Sequence, residues 1–280
     1  MFGNFNCSTR AGGEFNEDAI YYHENLLIVM DAATSLNKLH LTPEGSDGCW
    51  LSKYAVAMLA KRLENAETTI SDALHEVARE LKQQLDAFGY WKNSDSYPSA
   101  SIMIVRSVDD SVELFSVGDC TAIVEFANER QDMLIHDDAV TMLDNTVIAS
   151  LIEMQQQNGK PIAELLPQVK EMLVANRNKR NTEDGYWAFD PTGAAIEHGT
   201  IHVFPKNEIS AVALMSDGFY CISSLKELPD PAQLMHALKQ YHADMLIDEI
   251  FEKLAADSLF NQYPRFKLKD DASVIYAELF

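Results

Sequence analysis

Positive charge is scarce in this chain. Its 280 residues carry 22 Lys and Arg against 43 Asp and Glu, a formal net charge of −21. Nucleic acids and anionic lipid surfaces are held through basic patches, so neither a nucleic acid nor a membrane is an expected partner. Cysteine is sparse as well. Cys7, Cys49, Cys120 and Cys221 contain no Cys-x-x-Cys pair and are too few for a disulfide framework. Reduced thiols in a cytoplasmic protein are the simpler expectation. Long apolar runs are missing. Clean ones such as LLIVM at 26–30 are five residues long, against the ~20 a transmembrane helix needs. The opening MFGNFNCSTRAGG has neither the charged region nor the apolar region of a secretory signal. No fixed-period repeat, low-complexity tract or Pro/Gly/Ser-rich linker divides the sequence, so one domain over 1–280 is expected.

What the chain does have is apolar material, 47% of its residues, enough for a sizeable core. AIYYH and LLIVM flank His23-Glu24-Asn25 as a short hairpin. Helical spacing of Leu51, Ala55, Met58, Leu59 and Leu63 predicts a helix over about 48–63. Ile70, Leu74, Val77, Leu81 and Leu85 form the stripe of a second, with its start near Ser71-Asp72. SIMIVRS, SVELFSVG and CTAIVEFA read as an antiparallel meander turning at Asp109-Asp110 and Gly118-Asp119. Residues 137–180 are helical and polar, and residues 231–254 are helical again. GTIHVFP, ISAVALMS and ASVIYAELF are further strands. Strands and helices come in blocks, which predicts an α+β protein with antiparallel sheets.

Acidic residues gather at strand boundaries. Glu17 and Asp18 precede AIYYH, and Asp31 follows LLIVM. Asp119 lies in a turn, Asp217 follows AVALMS, and Asp270 and Asp271 precede the last strand. Each alone is ordinary turn chemistry. Together they suggest convergence at one end of a pair of sheets, where carboxylates could share a cation. Oxygen-only ligands select hard ions such as Mg²⁺ or Mn²⁺. No His and Cys cluster at zinc spacing is present.

The order of these motifs resembles the metal-dependent protein phosphatases, the type 2C serine/threonine phosphatases. The likeness runs from about residue 8 to residue 279. NEDA at 16–19, VMDAA at 29–33, PSASIMIV at 98–105, FSVGDCTAIV at 115–124, LMSDGF at 214–219 and KDDASVIY at 269–276 carry it. The resemblance implies two antiparallel sheets packed face to face as a central sandwich, with helices on both outer faces. It implies two or three Mg²⁺ or Mn²⁺ ions. Asp31 would bridge two of them, Asp217 and Asp270 would complete the first, and the carbonyl of Ala32 would help hold the second. Asp119 would serve a third. Glu17 and Asp18 would act through metal-bound water or hold the shell in place. Residues around 137–185 would form a variable flap.

The departures are as informative. The family's Asp-Gly is Asp31-Ala32 here, and glycine reaches backbone angles that alanine does not, so a weaker second metal is expected. A histidine found in some members two residues after this aspartate is Ala33 here, which excludes a side-chain acid at that position. The family's phosphate-gripping arginine has Arg10 as its nearest counterpart, separated from Glu17 by AGGEFN. Arg10 either touches phosphate or lies on the surface. Cys120 replaces a common serine and is expected to pack in the core. Trp187, Phe189 and His198 in GYWAFDPTGAAIEHG are expected to serve the core and rim rather than the substrate. The basic stretch VANRNKRN at 174–181 either meets an acidic or phosphorylated partner or is a solvated helix end.

The function implied is divalent-metal-dependent hydrolysis of phosphoserine and phosphothreonine in proteins, through a metal-bridged water, by a cytoplasmic enzyme. A phosphorylated protein is the implied substrate. Two alternatives stand beside it. One is a weak or inactive module of the same fold that binds a partner protein. The other is a hydrolase of small phosphate monoesters.

Overall fold

The computed structural model describes residues 1–280 except 36–38, 44, 93–95, 129, 226–227 and 229. Three strands lead: β1 (Phe2–Arg10), β2 (Asp18–His23) and β3 (Leu26–Ala33). Helices α1 (Asp47–Leu63) and α2 (Ile70–Ala87) follow. Next come β4 (Ser99–Val108), β5 (Ser111–Val117), β6 (Thr121–Phe126) and β7 (Met133–Ile135). A helical segment holds α3 (Ala139–Asn158), α4 (Ile162–Leu165) and α5 (Lys170–Arg177). Strands β8 (Thr200–Pro205) and β9 (Ile209–Met215) lead to α6 (Asp217–Tyr220) and α7 (Ile222–Leu225). Helices α8 (Pro231–Gln240) and α9 (Ala243–Ala256) and strand β10 (Ala272–Leu279) complete the order.

The strands form two antiparallel sheets, β1-β10-β9-β6-β7 and β2-β3-β4-β5-β8. The side-chain alternation of β3 and β4 explains the layering. Leu27, Val29, Met103 and Val105 face the other sheet and meet Val124, Val212, Leu214 and Ile275. Ile28, Met30, Ile102 and Ile104 face outward and are covered by α1 and α2. Both faces of these central strands are buried, so their sequences read as unbroken apolar runs. Helices α8 and α9 cover the outer face of the first sheet through Leu234, Leu238, Leu246 and Ile250. The result is the four-layer arrangement expected from the resemblance. No helix among the described residues is long and apolar enough to cross a membrane.

Several expectations are corrected in detail. The meander ends at β5. Its partner β6 lies in the other sheet, so Gly118-Asp119 is a passage between sheets and not a hairpin turn. Two apolar strands joined by a short turn look alike in either case, which is why spacing could not decide. Gly118 takes φ +83°, and a Cβ there would stand 2.3 Å from the Ser101 hydroxyl. Strands β1 and β7 have no matching expectation. β1 is an edge strand of mixed polarity (Phe2 and Ser8 buried, Asn4 and Thr9 exposed), and β7 has only three residues. Helix α2 begins with Thr69, whose hydroxyl accepts from the Asp72 amide at 3.0 Å. The helical stretch 137–180 is broken at Gly159, which caps α3 in the left-handed conformation at φ +65°. The segment 231–254 is two helices, divided at Tyr241-His242.

Helices α3 and α4 share a small apolar cluster of their own. Val147, Leu151, Ile162, Leu165 and Val169 pack with Phe260, and Phe266 lies against them. Asn261 fastens this cluster to the chain beyond α9, accepting from Gln155 at 2.6 Å and from the Ile162 amide at 3.3 Å. The helical segment therefore rests on the loop that leads to β10.

Candidate active site

Strands β3 and β9 end where β2 and β10 begin, at one end of the sandwich. Antiparallel register enforces this. Asp18 pairs with Asp31, Asp31 with Ser101, and Met215 with Val274. A cleft of about 410 Å³ opens there. Glu17, Asp31, Asp119, Asp217, Asp270 and Asp271 line one side, and Asp144 and Arg177 come from α3 and α5. Asp18 is buried just beneath, 3% exposed. The strand-end carboxylates named from the sequence thus come together in space. Ala32 also lines the cleft.

Three loops hold the rim. Asp271 accepts from the amides of Gly12 and Glu17, both at 2.7 Å, and so ties the start of β10 to the loop before β2. Glu17 accepts from the hydroxyls of Thr34 and Ser46 and from the Thr34 amide. It organises the chain between β3 and α1. Asp119 accepts from the Ser101 hydroxyl at 2.5 Å, and its amide donates back to that oxygen at 3.1 Å. Asp217 does not sit in a glycine-driven reversal. It opens the short helix α6, and Gly218 serves a different need. A Cβ on Gly218 would stand 2.0 Å from the Asp271 carbonyl, so only glycine lets α6 lie against the β10 loop. Ala32 is an ordinary strand residue paired with Ala100, and its φ is not positive. The backbone reason for expecting a weaker second metal therefore does not apply.

The electrostatics follow from crowding. Burial pushes the Asp18 carboxyl up to about 7, while the hydroxyls of Ser273 and Ser216 pull the other way and Asp271 and Asp270 add to the rise. Those hydroxyls are near but engaged with other partners, so neither buried oxygen of Asp18 has a hydrogen bond of good geometry. Asp31 is held well above the usual carboxylate range, first by burial and then by the charge of Asp18. Asp217 is open to water in the cleft but walled by protein. That confinement, and then Asp270 and Asp119, hold it well up, although a hydrogen bond to Asp31 opposes the shift. Burial also raises Asp119, with the Ser101 hydroxyl opposing. Asp144 is pushed up to about 6, first by burial and then by Asp119, against the charges of Arg177 and Lys267.

Cations are few here. Among the described residues that line the cleft only Arg177 and Lys267 are basic. Lys267 pairs with Asp270. Its side chain is largely exposed to the open cleft, yet the surrounding protein opposes its charge, and Asp270, Asp217 and Asp31 outweigh that and hold its ammonium above the ordinary lysine range. Arg10 does not line the cleft. It turns to α9, bonding Asp248 and lying 3.8 Å from Asp244. The basic stretch at 174–181 divides. Arg177 reaches the cleft, whereas Arg180 turns to Asp190 at 3.7 Å and to the Tyr97 carbonyl at 2.9 Å. Cys120 and Phe189 are core, 1% and 0% exposed. Trp187 stacks on His198 with centroids 3.4 Å apart, and Tyr186 borders the cleft.

Asp144 and Lys267 carry no single strong sequence signal. Asp144 sits in a helix with little amphipathic contrast. Lys267 stands three residues before Asp270, and that spacing was the one available hint.

The residues fit a hard divalent cation by chemistry. The donor set is all oxygen, Asp18 presents two buried oxygens without partners, and the charge of Asp217 bears on buried Asp31. Among the described residues no three of these side chains are already drawn around one point as a finished coordination shell.

A family model described as protein phosphatase 2C matches residues 7–259. No curated protein matches the sequence. Solved structures do. A bacterial serine phosphatase is 17% identical with a TM-score of 0.58, covering 99% of this chain and 98% of its own. The serine/threonine phosphatase Stp1 of Staphylococcus aureus is 17% identical with a TM-score of 0.58, covering 100% and 96%. The catalytic domain of the serine/threonine protein phosphatase PstP, in complex with two manganese ions, is 14% identical with a TM-score of 0.55, covering 99% and 97%. These likenesses show the fold.

Proposed function

The chain belongs to the protein phosphatase 2C family, and on that premise we propose that it hydrolyses phosphoserine and phosphothreonine in proteins with divalent-metal help. One observation carries the reading beyond family membership. Carboxylates from five strand boundaries converge on one cleft, and burial and mutual charge hold four of them above the ordinary range, a cost that a bound cation would offset. Mg²⁺ or Mn²⁺ bound there, as two or three ions, would supply an activated water and neutralise phosphoryl charge. The PstP complex with two manganese ions supports that choice of metal.

The chain's own residues take distinct parts. Asp31, Asp217 and Asp270 are the side chains to hold the cations, with the Ala32 carbonyl and Asp119 beside them. Asp18 stands beside Asp31 across the β2–β3 ladder as a further carboxyl at the floor. Glu17 and Asp271 fix the rim. No histidine follows Asp31, so a leaving alkoxide has no imidazole at Ala33 to protonate it. A preference for good leaving groups follows. Asp144 is a carboxyl of the cleft wall that retains a proton in mildly acidic solution.

The test is Mn²⁺-stimulated release of phosphate from an aryl phosphate and from phosphopeptides, with Asp217→Asn as the control. A wild-type protein silent on both at saturating Mn²⁺ sinks the proposal. Turnover of small monoesters with none of phosphopeptides would reassign the substrate class.

A further inference from the structure

The cleft has seven carboxylates on its walls, yet its implied substrate is a phosphate dianion. Something must meet that anion besides metal. Arg10, the expected group, is held by Asp248 and Asp244 on α9. Arg177 also lines the cleft, and its charge acts on the Tyr186 hydroxyl and on Asp144. Lys267 is paired as well, but its partner Asp270 lines the cleft itself, and its side chain is 63% exposed there.

Its mounting is rigid. Arg265 donates to the carbonyls of Leu254, Asp257, Tyr263 and Leu268 and to the Asp257 carboxylate. The bond to Leu268 spans Lys267, so the backbone on either side of the lysine is pinned. The Arg265 guanidinium also lies 4.2 Å from the centre of the Phe260 ring, within the apolar cluster under α3 and α4. A four-carbon stem with three rotatable donors thus projects from a fixed base over the carboxylates.

Resting on the phosphatase reading, we infer that Lys267 is the side chain that receives the phosphoryl group of the substrate. Its ammonium donates to phosphoryl oxygens at the mouth of the cleft. It replaces the arginine that the opposite edge of the site does not deliver. As a point charge it tolerates varied approach, where an arginine fork would fix one plane.

Full-length protein with saturating Mn²⁺ is the material for the test, as wild type, Lys267→Met and Lys267→Arg. Orthophosphate is the probe, used as a competitive inhibitor of aryl phosphate hydrolysis and separately as a calorimetric ligand. Mn²⁺ binding is measured in each protein. Loss of one charge-assisted hydrogen bond predicts about 10- to 100-fold weaker orthophosphate in Lys267→Met. KM for a phosphopeptide should rise by a similar factor while kcat changes less. Lys267→Arg should recover most of the loss, and Arg10→Met should raise KM less than Lys267→Met does. Mn²⁺ affinity in Lys267→Met should be no weaker than in wild type, because a competing positive charge has gone. Unchanged orthophosphate affinity overturns the assignment, as does a loss that merely follows weaker Mn²⁺ binding. A wild type that binds orthophosphate through Lys267 but hydrolyses no phosphoester fails the phosphatase reading instead.

Discussion

Asp18 and Asp31 stand directly opposite each other across the β2–β3 ladder, two carboxylates where an antiparallel sheet ordinarily avoids like charges. Neither has a basic partner in the ladder. On the proposed metal-dependent reading, the pair forms the floor of a site that receives positive charge.

This juxtaposition predicts an inverted pH dependence for metal-free protein. The Asp18 carboxyl is raised from 3.8 to about 7, so across that window the folded chain keeps a proton that the unfolded chain has lost. Stability of the chelated protein should therefore fall as pH rises through the window and recover on acidification. Asp18→Asn should melt higher than wild type near neutral pH, by on the order of 3 kcal/mol, with the gap closing toward pH 3.8. Thermal melts in chelator across pH measure this directly. A variant that melts lower than wild type at neutral pH would show that Asp18 stabilises the fold through bonds and not through its neutral form.

A second prediction separates metal binding from turnover. A cation that binds only the folded chain stabilises it by about 2.7 kcal/mol at 100 times its dissociation constant. Mn²⁺ should raise the melting temperature of wild type well above that in chelator. Asp217→Asn removes one member of the Asp31–Asp217 pair and relieves their repulsion. Its chelated form should melt no lower than wild type, while its response to Mn²⁺ should largely vanish. A full Mn²⁺ response in the variant would remove Asp217 from the ligand set.

Much of this was legible in the sequence, for definite reasons. Strands β3, β4, β9 and β10 are buried on both faces, and their apolar runs end abruptly at charged residues. An abrupt end of that kind marks both a strand boundary and a cleft, so Asp31, Asp217 and Asp270 were readable. Sheet membership was not. The chain passes from β5 to β6 through Gly118-Asp119 as briefly as a hairpin would, and only tertiary packing shows the change of sheet. Arg10 was misleading because proximity to Glu17 in sequence does not fix direction. Thr9 and Arg10 close an edge strand, and α9 offers Asp244 and Asp248 to the arginine. Lys267 and Asp144 enter the cleft through segments whose placement depends on the Phe260 cluster, and local pattern does not reveal that packing.

Gly218 gives a third prediction. Its missing Cβ leaves room for the Asp271 carbonyl, and Asp270 Cβ would stand 3.0 Å from an added methyl. Gly218→Ala must therefore push the β10 loop away from α6. Overpacking of this kind costs about 1–3 kcal/mol. The displaced loop carries Asp270, Asp271 and the mount of Lys267. Activity should fall more than stability alone explains, and Mn²⁺ affinity should weaken with it. Calorimetry of Mn²⁺ binding at a temperature where the variant is folded measures the second effect. Native affinity there would mean that the loop absorbs the methyl without moving its carboxylates.

The last prediction concerns a carboxylate outside the cleft that shapes it. Asp47 is 0% exposed at the start of α1. It accepts from the amides of Leu41 and Thr42 at 3.1 and 2.8 Å, from the Thr42 hydroxyl at 2.6 Å and from Tyr90 at 2.5 Å. These bonds draw the chain before α1 onto the helix start. The neighbouring cap residue Ser46 accepts from the Cys49 amide at 3.1 Å and donates to Glu17. Asp47→Ala leaves buried donors unpaired and should destabilise the protein by about 3 kcal/mol. The loosened loop should also free Glu17 from Ser46. Glu17 anchors the rim from its side chain and, through its amide, from Asp271. Mn²⁺-dependent turnover should therefore drop at temperatures where the variant is fully folded. Tyr90→Phe removes one of the same bonds without changing any charge, so it should show both effects in the same direction and smaller. A Tyr90→Phe variant as damaged as Asp47→Ala would point to lost packing between Tyr90 and Tyr97, whose stacked rings lie 5.5 Å apart, and not to the carboxylate's hold on the loop.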